Sequence, residues 1–279
     1  MPDSRSLTPR QKAAIMVAIM LGLFLAALDQ TIVGTALPRI VTDLAGNNLY
    51  TWVVTVYLLT STVTVPIYGK LSDIYGRRPL LLIGIGVFLV GSALSGISQS
   101  MGELIIFRGL QGLGAGAIFP IALAVIGDLF SPAERGRYQG LFGAVFGLSF
   151  IIGPFLGGFL TDNLSWHWIF YVNLPIGLAA LAVIATQLPN SGNTRGVRVR
   201  DLDFLGIGIF SAAAISLLLG LTNKGLTDSS GRLYDWLSFN VLAYMIAAVL
   251  LTVAFLVAEH FAREPIIPLD QFRNRTYTT

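Results

Sequence analysis

The sequence predicts an all-α membrane protein with eight spans. Three observations carry that expectation: 54% of the 279 residues are hydrophobic and only 12% charged, the mean hydropathy is +0.73, and the charges cluster between long uncharged runs. Soluble domains carry about 25% charged residues, so a water-soluble globule is excluded. The runs cover 13–28, 44–69, 79–102, 109–127, 138–161, 163–194, 204–223 and 236–258. A hydrocarbon core about 30 Å thick takes roughly 20 apolar residues as helix, and every run after the first approaches or exceeds that length.

Each element can be justified in order. The first span follows Arg5, Arg10 and Lys12; Asp29 interrupts it, and the apolar pattern resumes from Thr31 to Leu37. A signal peptide is the alternative reading of that start, but more membrane helix follows it rather than a soluble domain. The second span ends at the basic loop holding Lys70, Arg77 and Arg78, and the third leads to Glu103. The fourth helix starts near Glu103 and carries Arg108 inside the apolar region. In the fifth, Gly153-Pro154 is expected to bend or break the helix, because proline lacks the donor of one helical hydrogen bond. The sixth span gives way to a polar, basic segment at 189–203 with Pro189, Gly192 and Gly196, which reads as a cytoplasmic linker. Two further spans follow. The expected organisation is a cytoplasmic N-terminus (1–12), a six-helix bundle (13–188), the linker (189–203), two additional helices (204–259) and a cytoplasmic segment (260–279).

Composition excludes several functions. Cysteine is absent, which removes disulfides, thiolate metal sites and cysteine chemistry. The two histidines, His167 and His260, do not make a metal centre, and no cofactor is expected. Within the spans there is neither an H-E-x-x-H pattern nor a catalytic carboxylate pair, so an enzyme is not expected. The 30 glycines and 12 prolines suit membrane helices, where both are commoner than in soluble ones. A net charge of +3 with pI near 9.3 would fit nucleic acid, but the distribution of the charges argues against such a partner. When the spans alternate sides, one set of loops holds fourteen Lys or Arg and the other holds three, Arg39, Lys224 and Arg232. The positive-inside rule then puts both termini in the cytoplasm of a cell-membrane protein.

A five-residue echo supports a unit of six helices. Gly69-Lys-Leu-Ser-Asp73 returns 89 residues later as Gly158-Phe-Leu-Thr-Asp162, three helices on and on the opposite side, as an inverted repeat of three plus three helices requires. Charge within lipid costs several kcal/mol and marks the first place to seek function. Asp29 lies about 24 Å along the first helix from Ala13, and Arg108 about 7.5 Å inside the opposite entry of the fourth. The two are therefore at similar depth. Either they pair across a polar cavity, or both snorkel to the interface.

Four stretches resemble the signature motifs of the major facilitator superfamily, and in particular of its fourteen-helix drug:proton antiporters. Gly69-Lys-Leu-Ser-Asp73-Ile-Tyr-Gly76-Arg77-Arg78 is similar to the superfamily's loop between helices 2 and 3. Leu28-Asp29-Gln-Thr31-Ile-Val-Gly-Thr-Ala36-Leu37-Pro38 resembles the helix 1 motif of that branch. Arg108-Gly-Leu-Gln111-Gly112-Leu-Gly114-Ala-Gly116 resembles the helix 4 motif tied to proton transfer. Gly153-Pro154-Phe-Leu-Gly157-Gly158, with Gly140 and Ser149 before it, resembles the antiporter motif of helix 5. This chain departs from the patterns at Ile74, Gly34, Ser149 and His167, where a base, Asn, Gly and Arg are usual.

The resemblance implies secondary transport by alternating access, driven by the proton gradient, with efflux of lipophilic, cationic small molecules. It implies Asp29, Arg108 and Gln111 for proton coupling and substrate, and Gly69, Asp73, Gly76, Arg77 and Arg78 as a gating loop. It implies Gly140, Ser149, Gly153, Pro154, Gly157 and Gly158 as the antiporter motif. Read from the residues alone, the small residues of helices 4 and 5 are equally packing positions, and Asp73 and Arg77, four apart, equally a helical pair. The resemblance runs from about Leu23 to Gly177 and more weakly through 204–223 and 241–259. Members of that branch continue into a second six-helix bundle, so the chain reads as an N-terminal half whose partners are membrane lipids and a missing C-terminal half or a second copy. An uptake symporter of the same superfamily, and a non-transporting sensor or gene fragment, are the alternative readings.

Overall fold

A computed structural model describes residues 7–47, 49–189, 203–227 and 232–261. Among these the helices are α1 (Pro9–Asp43), α2 (Tyr50–Tyr75), α3 (Arg77–Ser95), α4 (Met101–Leu129), α5 (Pro132–Asn163), α6 (Trp168–Tyr171), α7 (Asn173–Gln187), α8 (Phe204–Lys224) and α9 (Phe239–Phe261). Eight spans are long and apolar enough to cross a membrane, α6 and α7 counting together as one. The fold is all-α, as composition and charge pattern require; among the described residues the only β-type pairing is an isolated bridge between Thr227 and Leu233. Residues 190–202 of the 189–203 linker, residues 1–6 of the N-terminus and residues 262–279 lie outside the described residues.

Local sequence starts the helices. Thr8 and Gln11 form a reciprocal capping box ahead of Pro9 at the first position of α1. Ser100 accepts from the Glu103 amide to open α4, and Glu134 reaches back to the Ser131 N–H and hydroxyl at the start of α5. These contacts satisfy amide groups that a helix start otherwise leaves without partners. Helix α1 runs through Asp29 to Asp43, the Asp29 charge being met inside the bundle by Arg108. Helix α5 is continuous through Pro154, so of the bend or break expected there the break does not occur.

Helices α1–α7 form one compact unit, and α8 with α9 another. In the first unit α4 lies between α2 and α3 and is seated on both by glycines. A Cβ at Gly112 would come within 2.5 Å of the Tyr57 carbonyl oxygen on α2, one at Gly116 within 2.5 Å of the Ser61 carbonyl oxygen, and one at Gly114 within 2.3 Å of the Phe88 nitrogen on α3. Close backbone approach of this kind lets dispersion and interhelical hydrogen bonds hold helices together where lipid removes the hydrophobic drive. The apolar core between the helices includes Ile15, Ile19, Leu23, Ile85, Phe88, Ile118 and Ile121. In the second unit, α8 and α9 pack through Gly220 against Tyr244 and Met245 and through Phe210 against Phe255, ring centroids 5.6 Å apart.

Candidate functional site

Four helices bring polar side chains to one buried point. Asp29 of α1 is 0% exposed and Arg108 of α4 is 1% exposed, and Arg108 Nη1 donates to Asp29 Oδ2 at 2.5 Å. The other carboxylate oxygen, Oδ1, accepts from Gln111 Nε2 at 2.7 Å and from Asn173 Nδ2 of α7 at 3.1 Å. Arg108 also donates to Gln111 Oε1 at 2.8 Å. Asn173 Nδ2 reaches Ser92 Oγ of α3 at 3.0 Å, and that hydroxyl donates to the Phe170 carbonyl at 2.8 Å. The guanidinium lies over the Tyr57 ring of α2, 4.2 Å from its centroid. A buried charge is tolerable when it is paired and its remaining hydrogen-bonding capacity is used. Arg108 meets both conditions only in part, because its Nε has no partner.

This geometry corrects the expectation that Asp29 and Arg108 face a cavity, and equally the alternative that they reach the interface. Both point into the bundle. The next residue, Gln30, faces the open side instead. It lines a depression of about 250 Å³ bordered by Tyr57, Ser61 and Phe119, and another of about 450 Å³ beside Phe146, Ser149 and Pro154. Gln111 bonds to both members of the pair. Asn173, Ser92 and Gln30 were missed: the depth of Asn173 depends on the break between α6 and α7, which no charge marks.

The loop between α2 and α3 forms a second cluster. Gly76 alone links the two helices, with φ of 96°, a conformation that side-chain-bearing residues rarely adopt. Arg77 pairs with Asp73, bonds Asp128 Oδ2 of α4 through Nε at 3.2 Å and donates to Ser72 Oγ at 2.5 Å. Arg78 donates to the Ala185 carbonyl of α7. Gly69 lies within α2, where its carbonyl accepts from Ser72 Oγ at 2.7 Å. Asp128 was not foreseen, because at the end of an uncharged run it reads as an ordinary boundary charge.

The helix 5 residues divide between two faces. Ser149 is fully buried and its carbonyl accepts from Thr31 Oγ1 at 3.1 Å. A Cβ at Gly153 would stand 2.0 Å from Thr31 Oγ1, and one at Gly157 2.9 Å from the Ile32 carbonyl oxygen, so these two seat α5 on α1. Gly140 and Gly158 have nothing within 4 Å of such a Cβ, and Pro154 is exposed. The expectation that Gly140 admits a neighbouring helix is therefore not met among the described residues.

His167, at the corner before α6, stacks on Trp166 with centroids 3.7 Å apart and shares a 2.7 Å hydrogen bond with Ser165 Oγ through Nδ1. Burial pushes its imidazole below the ordinary value of 6.5, against the opposing pull of the Asp43 carboxylate and a backbone hydrogen bond at Ser98.

A bundle of membrane-length helices that encloses a paired carboxylate and guanidinium is an integral membrane protein, and charges so placed mark ion or substrate pathways in such proteins. The chain belongs to the Major Facilitator Superfamily, whose family model matches residues 19–261. It is 44% identical over 268 residues to the multidrug transporter protein MdtP of Bacillus subtilis, covering 96% of this chain and 48% of that protein. It is 42% identical over 265 residues to multidrug resistance protein 3 of the same organism, covering 95% of this chain and 50% of that protein. The chain thus spans about half the length of these curated relatives. Its fold is similar to that of the human organic anion transporter MFSD10, with a TM-score of 0.60 at 19% identity over 90% of this chain and 73% of that one.

Proposed function

We propose that these residues are the N-terminal portion of a proton-coupled multidrug efflux antiporter of the fourteen-helix branch, working by alternating access in the cell membrane with both termini cytoplasmic. The observation that carries the reading is the buried Asp29–Arg108–Gln111–Asn173 cluster. A carboxylate held between a fixed cation and neutral amides can exchange a proton without leaving the bundle, and the gain or loss of that charge changes what four helices bond to. The relatives named as multidrug transporters support drug-like substrates. A lipophilic cation suits the role because Gln30, Tyr57, Ser61 and Phe119 offer an aromatic and polar, uncharged wall beside the cluster. Asp73, Arg77 and Arg78 would act as the latch at the cytoplasmic end, since Arg77 ties the α2–α3 turn to the end of α4 and its pairs must part for that end to open.

The test is drug resistance in an efflux-deficient host expressing the full-length protein. Asp29→Asn is expected to remain inserted and to lose efflux of cationic substrates, while Gln30→Ala alters which substrates are carried and keeps the response to the proton gradient. Wild-type, pH-dependent efflux by Asp29→Asn would refute the assignment.

A further inference from the structure

We propose that the Asn173 side-chain amide turns over when Asp29 is protonated, making Asn173 the positioning residue that passes the protonation state of α1 to the α6–α7 corner. The inference rests on the coupling role proposed for Asp29 and adds the group that reads it.

Hydrogen-bond directions fix the amide in the ionised state. The Ser92 hydroxyl spends its proton on the Phe170 carbonyl, so it can only accept from Asn173, and an ionised Asp29 Oδ1 likewise only accepts. Asn173 must therefore turn its NH2 toward both, leaving its Oδ1 buried with no partner. An orphaned buried acceptor costs free energy, and here the cost is tied to the charge on Asp29.

Protonation reverses the balance. Asp29 Oδ2 is held by Arg108 Nη1 at 2.5 Å, where a proton would sit against a cation. Oδ1 faces only neutral amides, and its bond to Asn173 is the longer of the two. A proton from solvent therefore bonds to Oδ1, and the new O–H needs an acceptor. Of the three side chains that hydrogen-bond Asp29, Arg108 has no acceptor, and Gln111 Oε1 already accepts from Arg108. Asn173 alone has an acceptor with no partner. Rotation of its amide breaks the Nδ2 bonds to Asp29 and Ser92, lets Oδ1 accept from the carboxyl O–H and turns the NH2 to the side that Oδ1 leaves. The Ser92 hydroxyl then swings to the same oxygen and releases the Phe170 carbonyl, next to the Val172 junction between α6 and α7. The charged and titratable groups facing Asp29 are Arg108 from α4 and Tyr57 from α2; α3 and α7 present the neutral Ser92 and Asn173.

Ser92 does not touch Asp29, which makes it the discriminating probe. With Ser92→Ala the ionised state loses the acceptor that pins the amide, and the protonated state no longer gives up the Ser92–Phe170 bond. Both changes favour protonation. Infrared difference spectra of the full-length protein in lipid vesicles, titrated with pH, should contain a carboxylic acid band that is absent in Asp29→Asn. Folded Ser92→Ala is expected to raise the pH of half-formation by about half to one unit, the equivalent of about one net hydrogen bond. Asn173→Leu is expected to move the band to higher frequency, because the carboxyl O–H loses its acceptor. An unmoved midpoint in Ser92→Ala, an unmoved band in Asn173→Leu, or no band assignable to Asp29 would each overturn the proposal. If the band responds as expected while Asp29→Asn keeps pH-dependent efflux, the amide switch stands and the coupling role of Asp29 falls.

Discussion

Substituting Gly114 with alanine tests whether the α3–α4 seam depends on missing side chains. The added Cβ would stand 2.3 Å from the Phe88 nitrogen and 2.4 Å from the Gly84 carbonyl oxygen, where ordinary contact begins at 3.4 Å. Both obstacles are backbone, so no rotamer change relieves them, and the helices must part by about 1 Å. Overpacking of a close-packed interior costs about 1–3 kcal/mol, while the better helix propensity of alanine returns about 0.5–1 kcal/mol. The net effect expected is a loss of about 1–2 kcal/mol, concentrated beside Gln111 and hence on the Asp29 cluster. Gly86→Ala, on the facing helix α3 with nothing within 4 Å of its Cβ, is the control and should be neutral or mildly stabilising. Thermal unfolding of both variants of the full-length protein in one detergent, followed by helical circular dichroism, makes the comparison. Equal melting of the two variants, or a stable Gly114→Ala, would refute the reasoning.

Other substitutions probe the charged groups. Arg108→Ala leaves Asp29 buried without its cation, a loss of about 3–5 kcal/mol when one member of a buried pair is removed; folded yield should fall sharply, and adding Asp29→Asn should recover much of it. Asp128→Asn is expected to mimic Arg77→Ala in loosening the α2–α3 turn, read as faster proteolysis there, and the double variant should be no worse than Arg77→Ala alone. The imidazole resonance of His167 should titrate below 6.5. Because the folded state disfavours the charged ring, the corner before α6 is more stable above that pH and loses stability as pH falls below it; His167→Gln should abolish this dependence.

The fold class was legible because lipid admits few solutions: uncharged runs of span length become helices whatever their detailed order. Helical rise alone brought Asp29 and Arg108 level, and they are in contact. What the sequence withheld was rotation. A residue count gives depth but not which way a side chain points, so Asp29 was assigned to the cavity face that its neighbour Gln30 occupies. The glycines of α4 were recognisable as small residues, yet only the packed bundle shows Gly112 and Gly116 serving α2 and Gly114 serving α3. Asn173 and Asp128 were hidden for a related reason, since each acquires its partners from helices distant in the chain. Gly140 and Gly158 share a pattern with Gly153 and Gly157, but the period of the helix puts the two pairs on different faces.

The central claim is that Asp29 carries the exchanged proton. Full-length protein reconstituted in vesicles with a trapped pH-sensitive dye measures it directly, as proton movement started by adding a cationic substrate with no imposed gradient. The wild type should move protons opposite to substrate, and Asp29→Asn should move none while still binding substrate. Proton movement at the wild-type rate in Asp29→Asn would contradict the account.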